Sequence, residues 1–218
     1  MNTKNQTSSY AKSNQLSLFS EPKKEQTEPV LDTVYQYFLI ISPPDEIKSK
    51  VKSLKYKLHK AVGLSDYNLQ SVPHISLMSF HTMRPVNERF FSSLQNLFSK
   101  NNSFEIDLNG FDFFEHGSES NTIYVRIENS FQIVRVYHEL HNLLGLRVRE
   151  FVPHLTVART MSRVRFNKSY EMIKQHVFNE KFNCNHITIL ERKLQHGVVS
   201  NYRVLKEIEF NSMSIPHP

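Results

Sequence analysis

The sequence has only one cysteine, Cys184, so no disulfide can form within the chain. Unpaired thiols are usual in reducing compartments, and the cysteine content therefore predicts a cytoplasmic location. Cys184 lies in a predicted strand and is interpreted as a small core residue rather than a nucleophile. No run of about 18 or more apolar residues is present, which argues against a membrane-spanning helix. The polar N-terminus also lacks the charged and then apolar pattern of a signal peptide.

Glycine is scarce as well, with five residues that each stand alone. Phosphate-binding loops of nucleotide-binding proteins need several glycines close together, so the sequence has no loop of that kind. The lysine and nucleotide-binding motifs of ATP-dependent ligases are also absent, which argues against an adenylating enzyme. We expect no cofactor.

Positive charge is in excess, with a formal net charge of +6 and a pI of about 9.3. A basic surface attracts polyanions, of which nucleic acid is the usual one, although many soluble proteins are mildly basic without a functional reason. Here the charge is concentrated in one region, where five arginines have only Glu150 among them. They are Arg147, Arg149, Arg159, Arg163 and Arg165.

One short pattern occurs twice, as V-P-H-I-S-L from Val72 and as V-P-H-L-T-V-A-R from Val152. Side chains two positions apart in a strand share a face. His74 and Ser76 should therefore point the same way, as should His154 and Thr156. A single histidine in an apolar strand is more often structural than catalytic. A matched pair, each with the same proline before it and a hydroxyl after it, is harder to explain by packing alone.

This double pattern resembles the two-histidine phosphoesterase superfamily, whose members include bacterial 2′-5′ RNA ligases and cyclic nucleotide phosphodiesterases. The resemblance runs from about residue 35 to residue 210 and includes the Y-F-L-I-I-S-P-P segment that begins at Tyr37 and the trailing Arg159. Ser76 is a mild departure, because threonine is commoner at that position in the family.

The resemblance implies a metal-independent site that acts on 2′,3′-cyclic phosphates of RNA ends or cyclic nucleotides, or on 2′-5′ linkages. Paired histidines suit acid–base catalysis at phosphorus, with His74 and His154 as acid and base and with Ser76 and Thr156 donating to phosphate oxygens. Which histidine is the base stays open, as does hydrolysis against ligation. Arg159 lies three positions from Thr156, so a bulge or a strand end is needed to bring it to the same face.

Two other histidines, His138 and His141, lie in an H-E-L-H segment whose spacing is compatible with metal ligation. The segment is one residue short of the H-E-x-x-H motif of zinc proteases. We therefore interpret both as surface or half-buried residues and expect no metal site.

Residues 1–31 are polar and predict a disordered tail with one apolar island, Gln15-Leu16-Ser17-Leu18-Phe19. The island resembles the peptide by which bacterial proteins bind the DNA-polymerase sliding clamp. In that comparison Leu18 and Phe19 enter an apolar pocket, while Gln15 makes polar contacts and Leu16 completes the match. A chance match, or an island that folds back on the domain, is the alternative.

Apolar periodicity predicts that residues 32–213 form one domain, followed by a short tail at 214–218. Each half has the order strand, helix, motif strand, helix, strand. Strands are expected near 34–41, 71–80, 104–113, 123–127, 151–159, 182–194 and 202–210, and helices over 43–62, 90–98, 131–144 and 170–177. Ser42 is expected to cap the first helix and Gly63 to end it.

The predicted fold is therefore α+β: a bilobal duplication with two antiparallel or mixed sheets, outer helices and a central cleft between the two motif strands. We expect a monomer. Two functions are compatible with these features. One is an RNA or cyclic nucleotide phosphodiesterase with or without reversible ligase activity. The other is a non-catalytic RNA- or nucleotide-binding module that its N-terminal peptide tethers to a partner.

Overall fold

A computed structural model of the protein describes residues 33–117, 120–195 and 197–211. The strands are β1 (Thr33–Ile41), β2 (Ile75–Thr82), β3 (Phe104–His116), β4 (Ser120–Ile127), β5 (His154–Met161), β6 (Asn179–Cys184), β7 (His186–Gln195), β8 (Val198–Val199) and β9 (Arg203–Glu209). The helices are α1 (Asp45–Val62), α2 (Asp66–Gln70), α3 (Glu88–Phe98), α4 (Phe131–Leu143) and α5 (Arg163–Ile173).

The named strands all pair antiparallel, in the order β6-β3-β4-β5-β2-β1-β7-β8, and β9 also pairs with β7. The centre of this sheet is narrow, because β2 and β5 pair at a single position, Ile75 with Leu155. The predicted α+β class is confirmed. The strands form one hydrogen-bonded sheet, and the two-lobed duplication stays a prediction.

Helix α1 shows why the apolar pattern predicts the helices well. Its apolar residues at helical spacing are buried in the core that they share with the inner face of the sheet. Gly63 ends the helix in the left-handed conformation, with a φ of 66°, and donates its N–H to the carbonyl of His59. That stop was predicted correctly. The predicted cap at Ser42 was wrong, since the capping position is Pro44 and the acidic first turn, Asp45 and Glu46, follows it.

Several element boundaries differ from the sequence prediction. Val177 was placed on the last helix, but α5 ends at Ile173 and Val177 is 95% exposed. The stretch predicted as one strand over 182–194 is two strands, which separate at Asn185, whose carbonyl accepts the N–H of Phe210. Each motif strand begins after its proline rather than before it, because proline has no N–H to donate to a neighbouring strand.

Cys184 is 2% exposed, and burial raises the pKa of its thiol to about 12, which confirms it as a core residue. Among the helices that the structure describes, none is long and apolar enough to cross a membrane. The predicted tails at 1–31 and 214–218, and with them the island from Gln15 to Phe19, lie outside the described residues.

Candidate active site

The two histidine motifs meet at the narrow centre of the sheet. Ile75 and Leu155 pair there, and both are fully buried. Because side chains alternate along a strand, the residues on either side of this pair project from the opposite face. Their side chains line a cleft with a volume of about 550 Å³. The cleft is lined by Lys55, Ser71, Val72, His74, Ser76, Phe114, His116, Thr122, Glu150, Phe151, Val152, His154, Thr156 and Arg159.

The two imidazoles are held in the same way. Nδ1 of His74 lies 2.8 Å from the carbonyl oxygen of Val72, and Nδ1 of His154 lies 2.8 Å from that of Val152. A carbonyl only accepts hydrogen bonds, so each Nδ1 carries its proton and donates it. This fixes the tautomer of both neutral rings and leaves Nε2 of each to accept or deliver a proton.

Aromatic rings support both imidazoles from the side. Phe38 packs edge-on against His74 and Phe114 edge-on against His154, each with ring centroids 5.0 Å apart. Tyr124 stacks on Phe114 at 4.4 Å and also contacts His154. This burial lowers the pKa of both histidines below its ordinary value, because a partly buried imidazole loses the solvation of its charged form.

The hydroxyls of the motifs line the same cleft as the imidazoles, Ser76 from β2 and Thr156 from β5. Ser76 lies opposite Ile40 of β1, and Thr156 lies opposite Tyr124 of β4. The structure thus brings together the two histidines and the two hydroxyls that the sequence pattern singled out.

Arg159 also reaches the cleft, through a β-bulge in β5. The adjacent residues Tyr124 and Ile123 of β4 pair with Thr156 and Ala158 of β5. Strand β5 therefore contains one extra residue, Val157, at this point. Val157 and Ala158 are consequently both buried, and the alternation beyond them is reversed. Arg159 is thereby returned to the face of Thr156, as the spacing argument required.

The short helix α2 holds this bulge in place. Asn68, which is buried, accepts the N–H of Arg159 at 2.9 Å and donates its own amide to the carbonyl of Arg159 at 3.0 Å. The guanidinium of Arg159 lies over the ring of Tyr67, 4.6 Å from its centroid. Five residues are too few for apolar periodicity to reveal, and α2 was missed in the sequence.

Lys55 of α1 is the cleft residue that sequence reasoning should have found. It is 1% exposed, and its ammonium donates to the carbonyl and to the hydroxyl of Ser71, both at 2.7 Å. Its position follows Ile47, Val51 and Leu54 on the buried stripe of the helix, where a lysine is out of place. A lysine at a position where the helical spacing predicts an apolar residue was the signal in the sequence that could have identified Lys55.

His116 is a third imidazole at the cleft, and its Nε2 lies 3.3 Å from the hydroxyl of Thr122. No repeated motif marks it in the sequence. His138 is exposed, and Nδ1 of His141 donates to the carbonyl of Tyr137, so both are placed as interpreted. Within the described residues, no three His, Cys, Asp or Glu side chains are grouped so that they could hold a metal ion.

Comparison with known proteins relates the fold and the motifs to one family. The family model described as the 2′-5′ RNA ligase superfamily matches residues 43–196. No match is found among curated proteins.

Solved structures of two proteins share the fold at low sequence identity. One is TT0787 of Thermus thermophilus, with a TM-score of 0.54 and 13% identity over 82% of this chain and 99% of that one. The other is LigT of Escherichia coli in its apo form, with a TM-score of 0.55 and 15% identity over 83% of this chain and 99% of that one. LigT complexed with 3′-AMP matches at a TM-score of 0.53 and 17% identity, over 81% of this chain and 98% of that one.

Proposed function

Because this chain belongs to the 2′-5′ RNA ligase superfamily, we propose that it is a phosphodiesterase that opens 2′,3′-cyclic phosphates at RNA ends or in cyclic nucleotides. The observation that carries the proposal is the matched orientation of His74 and His154. Each donates Nδ1–H to the carbonyl two residues before it, and each leaves Nε2 for proton transfer at one cleft. A site that only bound nucleotides would not need two imidazoles prepared in this way.

In the proposed reaction the neutral imidazole removes a proton from an attacking water through Nε2. The water oxygen forms a bond to phosphorus while the bond from phosphorus to one ribose oxygen breaks. The second imidazole, protonated at the start, gives its Nε2 proton to that leaving oxygen. The product is a phosphomonoester next to a free ribose hydroxyl, and the two histidines have exchanged protonation states.

The same proton transfers allow ligation. If an RNA 5′-hydroxyl replaces water as the nucleophile and the bond to O3′ breaks, the product is a 2′-5′ phosphodiester. The strained ring supplies the driving force, so no nucleoside triphosphate is required. Whether hydrolysis or ligation occurs therefore depends on whether water or an RNA 5′-hydroxyl occupies the position of the nucleophile.

Charge on the phosphate is held by the remaining residues of the motifs. The hydroxyls of Ser76 and Thr156 are proposed to donate to non-bridging oxygens, where negative charge must be stabilised in the transition state. Arg159 adds a guanidinium on the same face of the sheet. Because Tyr67 and Asn68 already restrain it, little conformational entropy is lost when it binds an anion.

A direct test is incubation of the purified protein with uridine 2′,3′-cyclic monophosphate in the presence of EDTA, followed by chromatography. We expect conversion to a nucleoside monophosphate and no conversion by a His74→Ala, His154→Ala double variant. If the intact protein binds the nucleotide in calorimetry but never converts it, the binding-module function replaces the enzymatic one. A second assay with RNA fragments that carry a 2′,3′-cyclic phosphate and a 5′-hydroxyl tests ligation.

A further inference from the structure

Lys55 is a buried cation that no carboxylate of the described residues compensates. Its ammonium has three N–H donors, and two of them are used by the carbonyl and the hydroxyl of Ser71. Both acceptors are neutral. A buried charge without an opposite partner is costly, and folded proteins normally remove or pair it. The third donor of Lys55 has no acceptor in the described part of the chain, and the side chain lines the cleft.

A second cation stands at the same wall of the cleft, and one hydrogen-bonded network connects the two. The hydroxyl of Ser71 accepts from Lys55 and donates to the carbonyl of Asn68, whose side-chain amide in turn holds the backbone of Arg159. The charge of Arg159 is close enough to add to burial in lowering the pKa of Lys55, to about 8. Two positive groups held together in this way repel each other, and an anion bound between them would offset that repulsion.

The two motifs differ in that only the second one is followed by an arginine. Arg159 follows His154 by five residues, after the bulge in β5. A similar bulge in β2 follows Ser76, and the position that corresponds to Arg159 is Ser79. The first motif therefore lacks an arginine of its own, and Lys55 of α1 is the cation whose charge acts on His74 and contributes to the lowering of its pKa.

We propose that Lys55 is a second cation of the phosphate site and donates its third N–H to an anionic oxygen of a phosphate bound between the two histidines. This inference rests on the proposed function for the identity of the anion, and its prediction for binding does not depend on turnover. A purely structural role is the competing explanation, in which Lys55 only tethers Ser71 and through it the segment that leads to His74.

The experiment measures binding of adenosine 3′-monophosphate by isothermal titration calorimetry to the full-length protein and to its variants. Lys55→Met should weaken binding by about 10-fold to 100-fold, which is the range expected for a charge-assisted hydrogen bond. Lys55→Arg, which keeps the charge, should retain more of the affinity. Lys52→Met is the matched control, because Lys52 is exposed on the same helix, and it should leave the affinity unchanged.

The dependence on pH separates a bound charge from a structural tether. Between about pH 7.5 and pH 9.5 phosphate monoesters stay doubly charged, and carboxylates, imidazoles and guanidinium groups ordinarily titrate outside this range. The other charged or titratable side chains at the cleft are Glu150, His74, His116, His154 and Arg159, and Tyr67 lies against Arg159. Affinity should fall across this range in the wild type as Lys55 loses its proton, and the fall should be smaller in Lys55→Met.

Two outcomes would overturn the inference. Unchanged affinity in Lys55→Met with a reduced kcat would assign Lys55 to positioning alone, and an identical pH dependence in both proteins would remove its charge from the site. If Lys55→Met fails to fold, Lys55→Gln, which keeps one polar donor for Ser71, gives the same comparison. Lack of turnover in the wild type would refute the proposed enzymatic function without affecting the binding result.

Discussion

His74 and His154 are held by equivalent contacts, yet the proposed reaction asks a different proton transfer of each. We therefore expect His74→Ala and His154→Ala each to lower kcat by about 10²-fold to 10⁴-fold, since neither imidazole can replace the other. Both side chains line the cleft rather than the core. Circular dichroism and thermal melting should thus show an intact fold. Full activity in either purified variant would refute the assignment.

The hydroxyls of Ser76 and Thr156 should matter less than the imidazoles. Ser76→Ala and Thr156→Val each remove one donor to phosphate, and one such donor is worth up to about 10²-fold to 10³-fold in rate. Thr156→Ser is the matched control, because it keeps the hydroxyl while it removes a methyl group. Steady-state kinetics on a 2′,3′-cyclic nucleotide measures the effect. Unchanged rates in both variants would show that the hydroxyls do not contact the phosphate.

Burial of the two histidines sets the direction in which the activity should change with pH. The pKa of both histidines is lowered from 6.5, so in the free protein the pair with one protonated and one neutral ring is populated mainly below that pH. We expect kcat/KM to fall as pH rises past this region, because the acid loses its proton. A bound anion favours the protonated ring, so the corresponding fall in kcat should come at higher pH. Coincident profiles of kcat and kcat/KM would contradict this expectation.

At the scale of elements, the bulge in β5 and the short helix α2 act together. The bulge turns Arg159 toward the cleft, and Asn68 of α2 satisfies the N–H and the carbonyl of Arg159. Such a bulge leaves backbone groups without strand partners, and buried backbone groups of this kind are costly when unpaired. Helix α2 thus serves the site although it lies outside both motifs.

Replacement of Asn68 tests this dependence. Asn68→Ala removes both hydrogen bonds to Arg159 and should lower the free energy of unfolding by about 1–3 kcal/mol, with weaker phosphate binding as Arg159 loses its restraint. Asn96→Ala is a control, because Asn96 is exposed on α3. Chemical denaturation and nucleotide titration measure the two effects. Reduced stability with unchanged affinity would mean that Arg159 keeps its orientation without Asn68.

At the scale of the whole molecule, the N-terminal tail is proposed to deliver the protein to a partner. Gln15 to Phe19 should bind a bacterial sliding clamp independently of the folded domain, with an affinity on the order of micromolar because a peptide must be ordered on binding. Leu18 and Phe19 should supply most of the binding energy as buried apolar anchors. A synthetic peptide of residues 13–22 can be titrated against purified clamp by fluorescence anisotropy.

A Leu18→Ala, Phe19→Ala peptide is the control for that experiment. Equal binding by both peptides, or no saturable binding at high micromolar clamp, would remove the clamp proposal. Deletion of residues 1–31 should leave hydrolysis of a cyclic nucleotide unchanged, because the two histidines and the two hydroxyls to which the reaction is assigned all lie between residues 74 and 156.

Local sequence patterns were sufficient to predict the first helix and the shared faces of the motif strands. The spacing of Ile47, Val51, Leu54 and Leu58 predicted α1, and the isolated Gly63 predicted its end. The alternation of His74 and Ser76 around Ile75 predicted which side chains share a face. Boundaries such as the break at Asn185 were not predictable, because a contact with the distant Phe210 decides where the strand ends.

The sequence by itself indicated the family, through the resemblance carried by the repeated Val-Pro-His motifs. It also predicted which side chains of each motif share a face, because the period of two follows from the geometry of an extended chain. Only the tertiary structure decided how the site is assembled. The two histidines are 80 residues apart in the chain, and they meet because Ile75 and Leu155 pair across the sheet. Long-range packing brings the lysine at position 55 to the cleft and the amide at position 68 to the backbone of Arg159. The orientation of Arg159 depends on a register shift between β4 and β5. Such features are set by which strands and helices pack together, and a single segment of sequence carries no record of that choice.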